Sequence, residues 1–170
     1  MNRPEKAEYD AYYKRYIDLV EDTNLLDLLA AQPAELNKLL GGFTDERGMH
    51  AYTDGKWTIK ELFGHIIDGE RMFAYRAFRI SRGDKTPIEG FEQDGYIENA
   101  RSNIRSLGEM IEEFRLLRAA NLIMLKHLSE EDLLRMGVAS GLPVSVRALA
   151  HIMAGHVIHH VNILRAQYLV

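Results

Sequence analysis

The chain has 170 residues, 46% of them apolar and 27% charged, with seven histidines and no cysteine. That length can bury a core without disulfide or metal staples, and the missing cysteine excludes disulfides, thiolate metal sites and a protein thiol nucleophile. Twenty-one basic residues against 25 acidic ones leave a formal charge of −4, so the overall field gives no help in binding nucleic acid or an acidic membrane.

No apolar run is long enough to span a bilayer, and the start, Met1 to Lys6, has no apolar stretch resembling a secretory signal. A cytoplasmic protein with no membrane and no nucleic-acid partner is expected. Apolar residues recur at three- and four-residue spacing, and no alternating strand pattern stands out, which predicts an all-α protein. The first helix covers about residues 5–20 and carries Tyr9, Tyr12, Tyr13, Tyr16 and Ile17 as core and interface residues. A second starts near Thr23, is interrupted at Pro33, a residue best tolerated in a helix's first turn, and stops at Gly41-Gly42.

Thr58-Ile59-Lys60-Glu61 has capping-box form and opens a long helix that ends by Gly83. Residues 84–95 read as a loop with Pro87, Gly90 and Gly95. A further helix is expected over about residues 96–128, with a break and restart at 106–109. Residues 129–143 read as irregular, with a short helical turn at 130–134. Ser145 caps the last helix, which continues to about Tyr168. Four long helices with short connections predict a four-helix bundle, one domain over residues 1–170, with up-and-down order as the default.

The last helix carries the most informative pattern. Its inward ladder begins Val146, Leu149, Met153 and resumes at Leu164, and the two rungs between are His156 and His160. At i and i+4 their Cβ atoms lie roughly 6 Å apart on one face, close enough for both imidazoles to reach one ion. A third ligand is expected from another helix, and His65 leads. Gly69 lies one turn beyond it and Gly155 adjoins His156; glycine inside a helix costs up to ~1 kcal/mol against alanine, which points to close helix approach or space for a ligand. His-x-x-x-His also arises by chance in helices, and on spacing alone a hydrogen-bonded core role stays open. Val157 stands where His-Glu-x-x-His would place its general base, which argues against a zincin protease.

These residues resemble a known family. Lys56-Trp57-Thr58-Ile59-Lys60-Glu61 followed by His65-Ile66-Ile67-Asp68 is similar to a segment of the DinB-like (DNA-damage-inducible) superfamily. So are residues 87–94 (Pro-Ile-Glu-Gly-Phe-Glu-Gln-Asp), Phe114-Arg115 through Arg118-Ala119, and Ser145-Val146-Arg147-Ala148-Leu149 leading through Ala154-Gly155-His156 to His159-His160. The resemblance implies a four-helix bundle holding one divalent metal ion, zinc or nickel, on His65, His156 and His160. It further implies a small-molecule substrate, thiol S-transferase chemistry with a low-molecular-weight thiol such as bacillithiol or mycothiol, homodimers and a stress-response setting. A hydrolase using activated water and a non-enzymatic metal- or ligand-binding protein are the alternatives.

Three further residues are candidates. Asp68, three residues beyond His65, could accept a proton from a ligand imidazole or bound water, or lie on the helix surface. His159 could act as an acid or base beside the pair, or be partly exposed. Arg76, with Arg79 and Arg82, forms a basic stripe. It reads either as a solvated face paired with Glu70 and Asp84, or with Arg76 turned to the His65 side to hold a substrate carboxylate. His50, His127 and His151 are read as structural or surface residues.

Overall fold

Local capping signals set the helix ends in the structure, a computed structural model describing residues 1–169. Single 3-10 turns at Lys6–Glu8 and Ala11–Tyr13 lead into α1 (Lys14–Ile17), followed by α2 (Leu25–Leu40), α3 (Asp45–Gly48), α4 (Ile59–Ser81) and α5 (Gln93–Ala100). A 3-10 turn at Ser102–Ile104 precedes α6 (Leu107–Lys126), α7 (Glu130–Leu134), the hairpin β1 (Met136–Ala139) and β2 (Leu142–Ser145), and α8 (Val146–Ile163). A π-helical turn spans Leu164–Tyr168. The capping box at Thr58 forms as expected: its hydroxyl accepts from the Glu61 N–H at 3.1 Å, and the Glu61 carboxylate accepts from the Thr58 N–H at 2.8 Å. Gly83, at φ 80°, supplies the left-handed stop after α4.

The structure departs from the sequence-based expectation in four places. The segment expected as one helix over residues 5–20 is broken, because Tyr9 is extended and bridges Val144 of the hairpin. Pro33 lies inside a continuous α2 and starts no new helix. The helix expected from Tyr96 stops early, at Ala100, because Arg101 is left-handed (φ 52°), while the restart expected at 106–109 is present as the Ser106-capped start of α6. The stretch expected to be irregular contains the antiparallel hairpin, pairing Met136 with Ser145 and Ala139 with Leu142 across a turn in which Ser140 (φ 54°) and Gly141 (φ 75°) are both left-handed.

The bundle order also differs from the up-and-down default. The main helix partners of α2 are α6 and α8, and α4 packs against the same two. Consecutive long helices, α2 with α4 and α6 with α8, therefore occupy opposite corners. Residues 41–58 and 127–145, which carry α3, α7 and the hairpin, are long enough to cross the ends of the bundle. The N-terminal segment packs on α8 as well, so α8 is buried on all sides from Val146 to Val157 rather than along one stripe.

Two apolar clusters fill the interior, one including Leu25, Leu29, Phe73, Leu125 and Met153, the other Leu36, Ile67, Phe114 and Val157. Between them runs a polar layer. Arg118, fully buried, donates to both oxygens of Glu70 at 2.9 and 2.8 Å, to Gln32 Oε1 at 2.6 Å and to the Leu29 carbonyl at 3.2 Å. Gln32 in turn donates to the Ala154 carbonyl at 2.9 Å. Removing one member of a buried pair strands the other. Arg118→Met is expected to cost about 3–5 kcal/mol in urea denaturation, and adding Glu70→Leu to recover part of that loss; equal or greater loss in the double variant would show that the charge pairing is not the source.

Candidate metal centre

His65 is two turns into α4, and His156 and His160 are one turn apart on α8, the helix packed directly against it. Their ε-nitrogens converge. His156 Nε2 lies 3.1 Å from His65 Nε2 and 3.1 Å from His160 Nε2, and one ligand atom from each of the three falls within 4.8 Å of the others. All three side chains are buried, and the rings meet edge to face.

Burial sets their protonation. Desolvation, followed by repulsion from His159, holds His65 down to about 4; desolvation, His65 and His159 hold His160 down to about 2. Desolvation and its two neighbours push His156 well below the ordinary imidazole range. Near neutral pH the centre is three neutral imidazoles. His156 Nε2 carries either one proton or one lone pair, so it can complete a well-aligned hydrogen bond with only one of the two nitrogens 3.1 Å from it, a shortfall that a cation accepting a lone pair from each ring would remove. Three nitrogens of this kind suit a borderline divalent ion, and with no thiolate or carboxylate in the set they leave its charge uncompensated and a coordination position open.

Two glycines make the approach possible. A Cβ on Gly69 would lie 2.5 Å from His156 Cε1, and one on Gly155 would lie 2.1 Å from the Tyr16 carbonyl oxygen. Gly69 thus leaves space for a ligand ring, and Gly155 lets the N-terminal segment pack onto α8. Aromatic rings enclose the imidazoles: Trp57 stands 5.2 Å from His65, and Phe73 and Tyr16 stand 5.3 and 5.5 Å from His156, centroid to centroid. A hollow of about 450 Å³ reaches His65 and His156 between Tyr12, Phe73 and Phe91. A second, of about 730 Å³, reaches His160 between Trp57, Asp94 and Tyr168.

The remaining candidates are placed differently. Asp68 is half-buried, its carboxyl raised by desolvation, and the charges acting on it are Arg71, Glu113 and Arg105, which lie toward α6; it lines neither hollow. His159 packs edge-on against Tyr16 and His160, at 5.6 and 4.9 Å, and its nitrogens stay outside the three-nitrogen cluster. The basic stripe is split. Arg79 pairs with Asp84 at 2.7 Å, whereas Glu70 belongs to Arg118, and Arg76 is buried in the wall of the first hollow with His65 and His156. His151 is buried with Nδ1 3.0 Å from the Arg147 carbonyl, a structural role. Sequence reasoning missed the aromatic walls Trp57, Phe73 and Phe91 and the buried Arg118–Glu70 pair. The apolar periodicity of α4 carried a signal only for Phe73.

Fold and site together define a helical bundle built around a buried cluster of three histidines that could hold a metal ion. Residues 28–164 match the DinB superfamily, and the chain belongs to that family. A relative from Bacillus pumilus (strain SAFR-032) named "Putative metal-dependent hydrolase" is 30% identical over 74 residues, 43% of this chain and 42% of that protein. The similarly named YfiT of Bacillus subtilis (strain 168) is 28% identical over 74 residues, 43% of this chain and 41% of that protein. These matches therefore span less than half of the curated relatives. The solved structure of YfiT, described as an unusual four-helix bundle topology, superposes with a TM-score of 0.75 at 16% identity, covering 86% of this chain and 91% of that one. The mycothiol-dependent maleylpyruvate isomerase superposes at 0.66 and 18% identity, covering 82% and 60%.

Two outcomes follow from the geometry. His65→Ala, His156→Ala and His160→Ala should each lose most bound metal by elemental analysis while helical circular dichroism is kept, and His159→Ala should lose little; full occupancy in the first three would refute the ligand set. Gly69→Ala should displace the His156 ring and weaken metal affinity at least about tenfold, an effect of the size seen when a ligand's support is lost.

Proposed function

We propose that this protein is a metal-dependent enzyme that joins a small thiol to an electrophilic small molecule at the tris-histidine centre. The observation carrying the reading is the convergence of three neutral, buried ε-nitrogens between two hollows, one reaching His65 and His156 and the other His160, with no carboxylate in the cluster. A divalent ion, zinc or nickel, bound there supplies Lewis acidity that lowers the pKa of a thiol or water reaching its open position.

The protein's own residues do the rest. The neutral imidazoles hold the centre without cancelling its charge. Tyr16 and Phe73 on one side and Trp57 on the other limit water around the nitrogens. Burial raises the Tyr13 and Tyr16 phenols, so they stay protonated and can donate hydrogen bonds. The chain has no cysteine, so the sulfur comes from the substrate: one carbon–sulfur bond forms, the thiol proton passes to solvent, and any leaving group departs with its electron pair. The superposition on a thiol-dependent isomerase supports this as an analogy of fold.

Hydrolysis is the second reading. It is favoured by the names of the two curated relatives and by Asp94, which lines the hollow at His160 and whose charge acts on His65; there it could take a proton from water. Homodimeric assembly, a cytoplasmic location and a stress-response role belong to the same proposal. Among the described residues no helix is long and apolar enough to cross a membrane.

A cobalt-loaded sample should develop a sulfur-to-metal charge-transfer band on adding a low-molecular-weight thiol, and metal-dependent conjugation should vanish in His65→Ala. A thiol panel giving neither band nor turnover, with ester or amide hydrolysis instead, would replace the thiol reading with the hydrolytic one. Chelation should lower the melting temperature through lost ligand linkage yet leave one cooperative transition, because the apolar clusters do not depend on the ion; an unfolded apo-protein would contradict this.

A further inference from the structure

We infer that Arg76 recognises an anionic group of the carboxylate class on the substrate, fixing that end of the molecule while its reacting group faces His65 and His156. The inference takes the first hollow to be the substrate side of the metal centre, and in that respect it rests on the metal-enzyme reading.

Arg76 is 2% exposed. One of its nitrogens, Nη2, donates to Ser140 Oγ at 2.8 Å and, at the long limit of 3.4 Å, to the Glu89 carbonyl. Its Nε is buried with no partner, and among the described residues no carboxylate comes within ion-pair distance of it. The other two arginines buried to a similar degree are each paired with an acid, Arg118 with Glu70 and Arg147 with Glu8. A cation held out of water without a counter-charge is costly, and burial already pulls Arg76 below its ordinary pKa.

Anchoring the hairpin turn explains the Nη2 contacts and nothing else. It leaves Nε without a partner and the charge uncompensated, in the wall of a hollow that also holds His65 and His156. The single acid of that lining, Glu92, is committed to the backbone N–H groups of Asp94 and Gly95 at 3.0 and 2.7 Å. Phe73 and Phe91 flank the guanidinium, each ring centroid 6.0 Å from its carbon, and they shield an ion pair formed there from solvent. Arg76 follows His65 by eleven positions on α4, about 16 Å along the axis, and its side chain leans back toward the helix N-terminus and so toward the imidazoles. The hollow accordingly fits a small molecule with an acid at one end, an apolar middle and its reacting group at the other.

The test is calorimetric titration of the metal-loaded protein with 3-phenylpropanoate and with 3-phenylpropanamide, which has the same shape and no charge. The acid should bind at least about tenfold more tightly. Arg76→Gln should weaken the acid about ten- to a hundredfold, the scale of a charge-assisted hydrogen bond, leave the amide unchanged, and be partly rescued by Arg76→Lys. No binding of the acid, equal binding of acid and amide, or unchanged acid affinity in Arg76→Gln, as expected if the acid simply ligates the metal, would overturn the inference. Should Arg76→Gln fail to fold, protection of Arg76 in the native protein from phenylglyoxal by the acid but not the amide decides, read by peptide mass spectrometry; equal modification overturns it. Acid selectivity without any thiol chemistry would sink the thiol reading and leave this one standing.

Discussion

One buried cation organises this bundle. Arg118 sits at its centre with no water to solvate it, so its donors must be met by protein, and the groups that meet them come from the other helices: Glu70 on α4, Gln32 and the Leu29 carbonyl on α2. Pro33 has a part in this. It has no N–H to offer the carbonyl four residues earlier, which is that of Leu29, and Arg118 supplies the missing donor. A residue that ordinarily breaks helices is tolerated mid-helix because a side chain from α6 completes its hydrogen bonding. Gln32 then reaches the Ala154 carbonyl, so the network touches all four long helices.

The three-histidine cluster lies in the same layer. Glu70 is adjacent to Gly69, against which the His156 ring rests, and Ala154 is two residues before His156. Fixing Glu70 and Ala154 relative to each other therefore fixes the registry of α4 against α8, on which the convergence of the three ε-nitrogens depends. The apolar clusters on either side of the layer supply burial, but apolar packing alone tolerates small slides. Directional bonds to a buried guanidinium do not, because a slide would leave a charge unpaired.

The diagonal order of the helices determines what surrounds the centre. Because α2 connects to α4, and α6 to α8, across the bundle, α4 and α8 lie side by side with long connections free to fold over them. The N-terminal turns bring Tyr12 and Tyr16, the segment after α4 brings Phe91 and Asp94, and the hairpin brings Ser140 to Arg76. The rigid helices hold the imidazoles while the connecting segments supply the walls, a division that lets one scaffold accept different substrates.

Much of this was legible in the sequence where the signal is local. The capping box at Thr58, the glycine stop at Gly83 and the Ser145 cap fix helix ends through bonds between near neighbours, and the i, i+4 spacing of His156 and His160 on an apolar ladder places them together on one inward face. The glycine pair pointed to tight quarters without saying which was for a ring and which for a backbone. Residues 129–143 read as irregular because strands of four residues containing Gly137 and Pro143 carry too little alternation to be seen. The partner of Glu70 could not be read: it binds Arg118, 48 positions away, since a charge held out of water must find its counter-charge wherever the fold brings one. Its six-residue separation from Arg76 lies outside the i, i+3 and i, i+4 spacings of a helical pair. Sequence by itself determined the capped starts of α4 and α8 and the inward face that carries His156 and His160, since these follow from periodicity and capping. The order of helices around the bundle, the polar layer, and the isolation of Arg76 in the wall of the hollow were decided only by tertiary structure, because each depends on which distant groups are left to satisfy a buried charge.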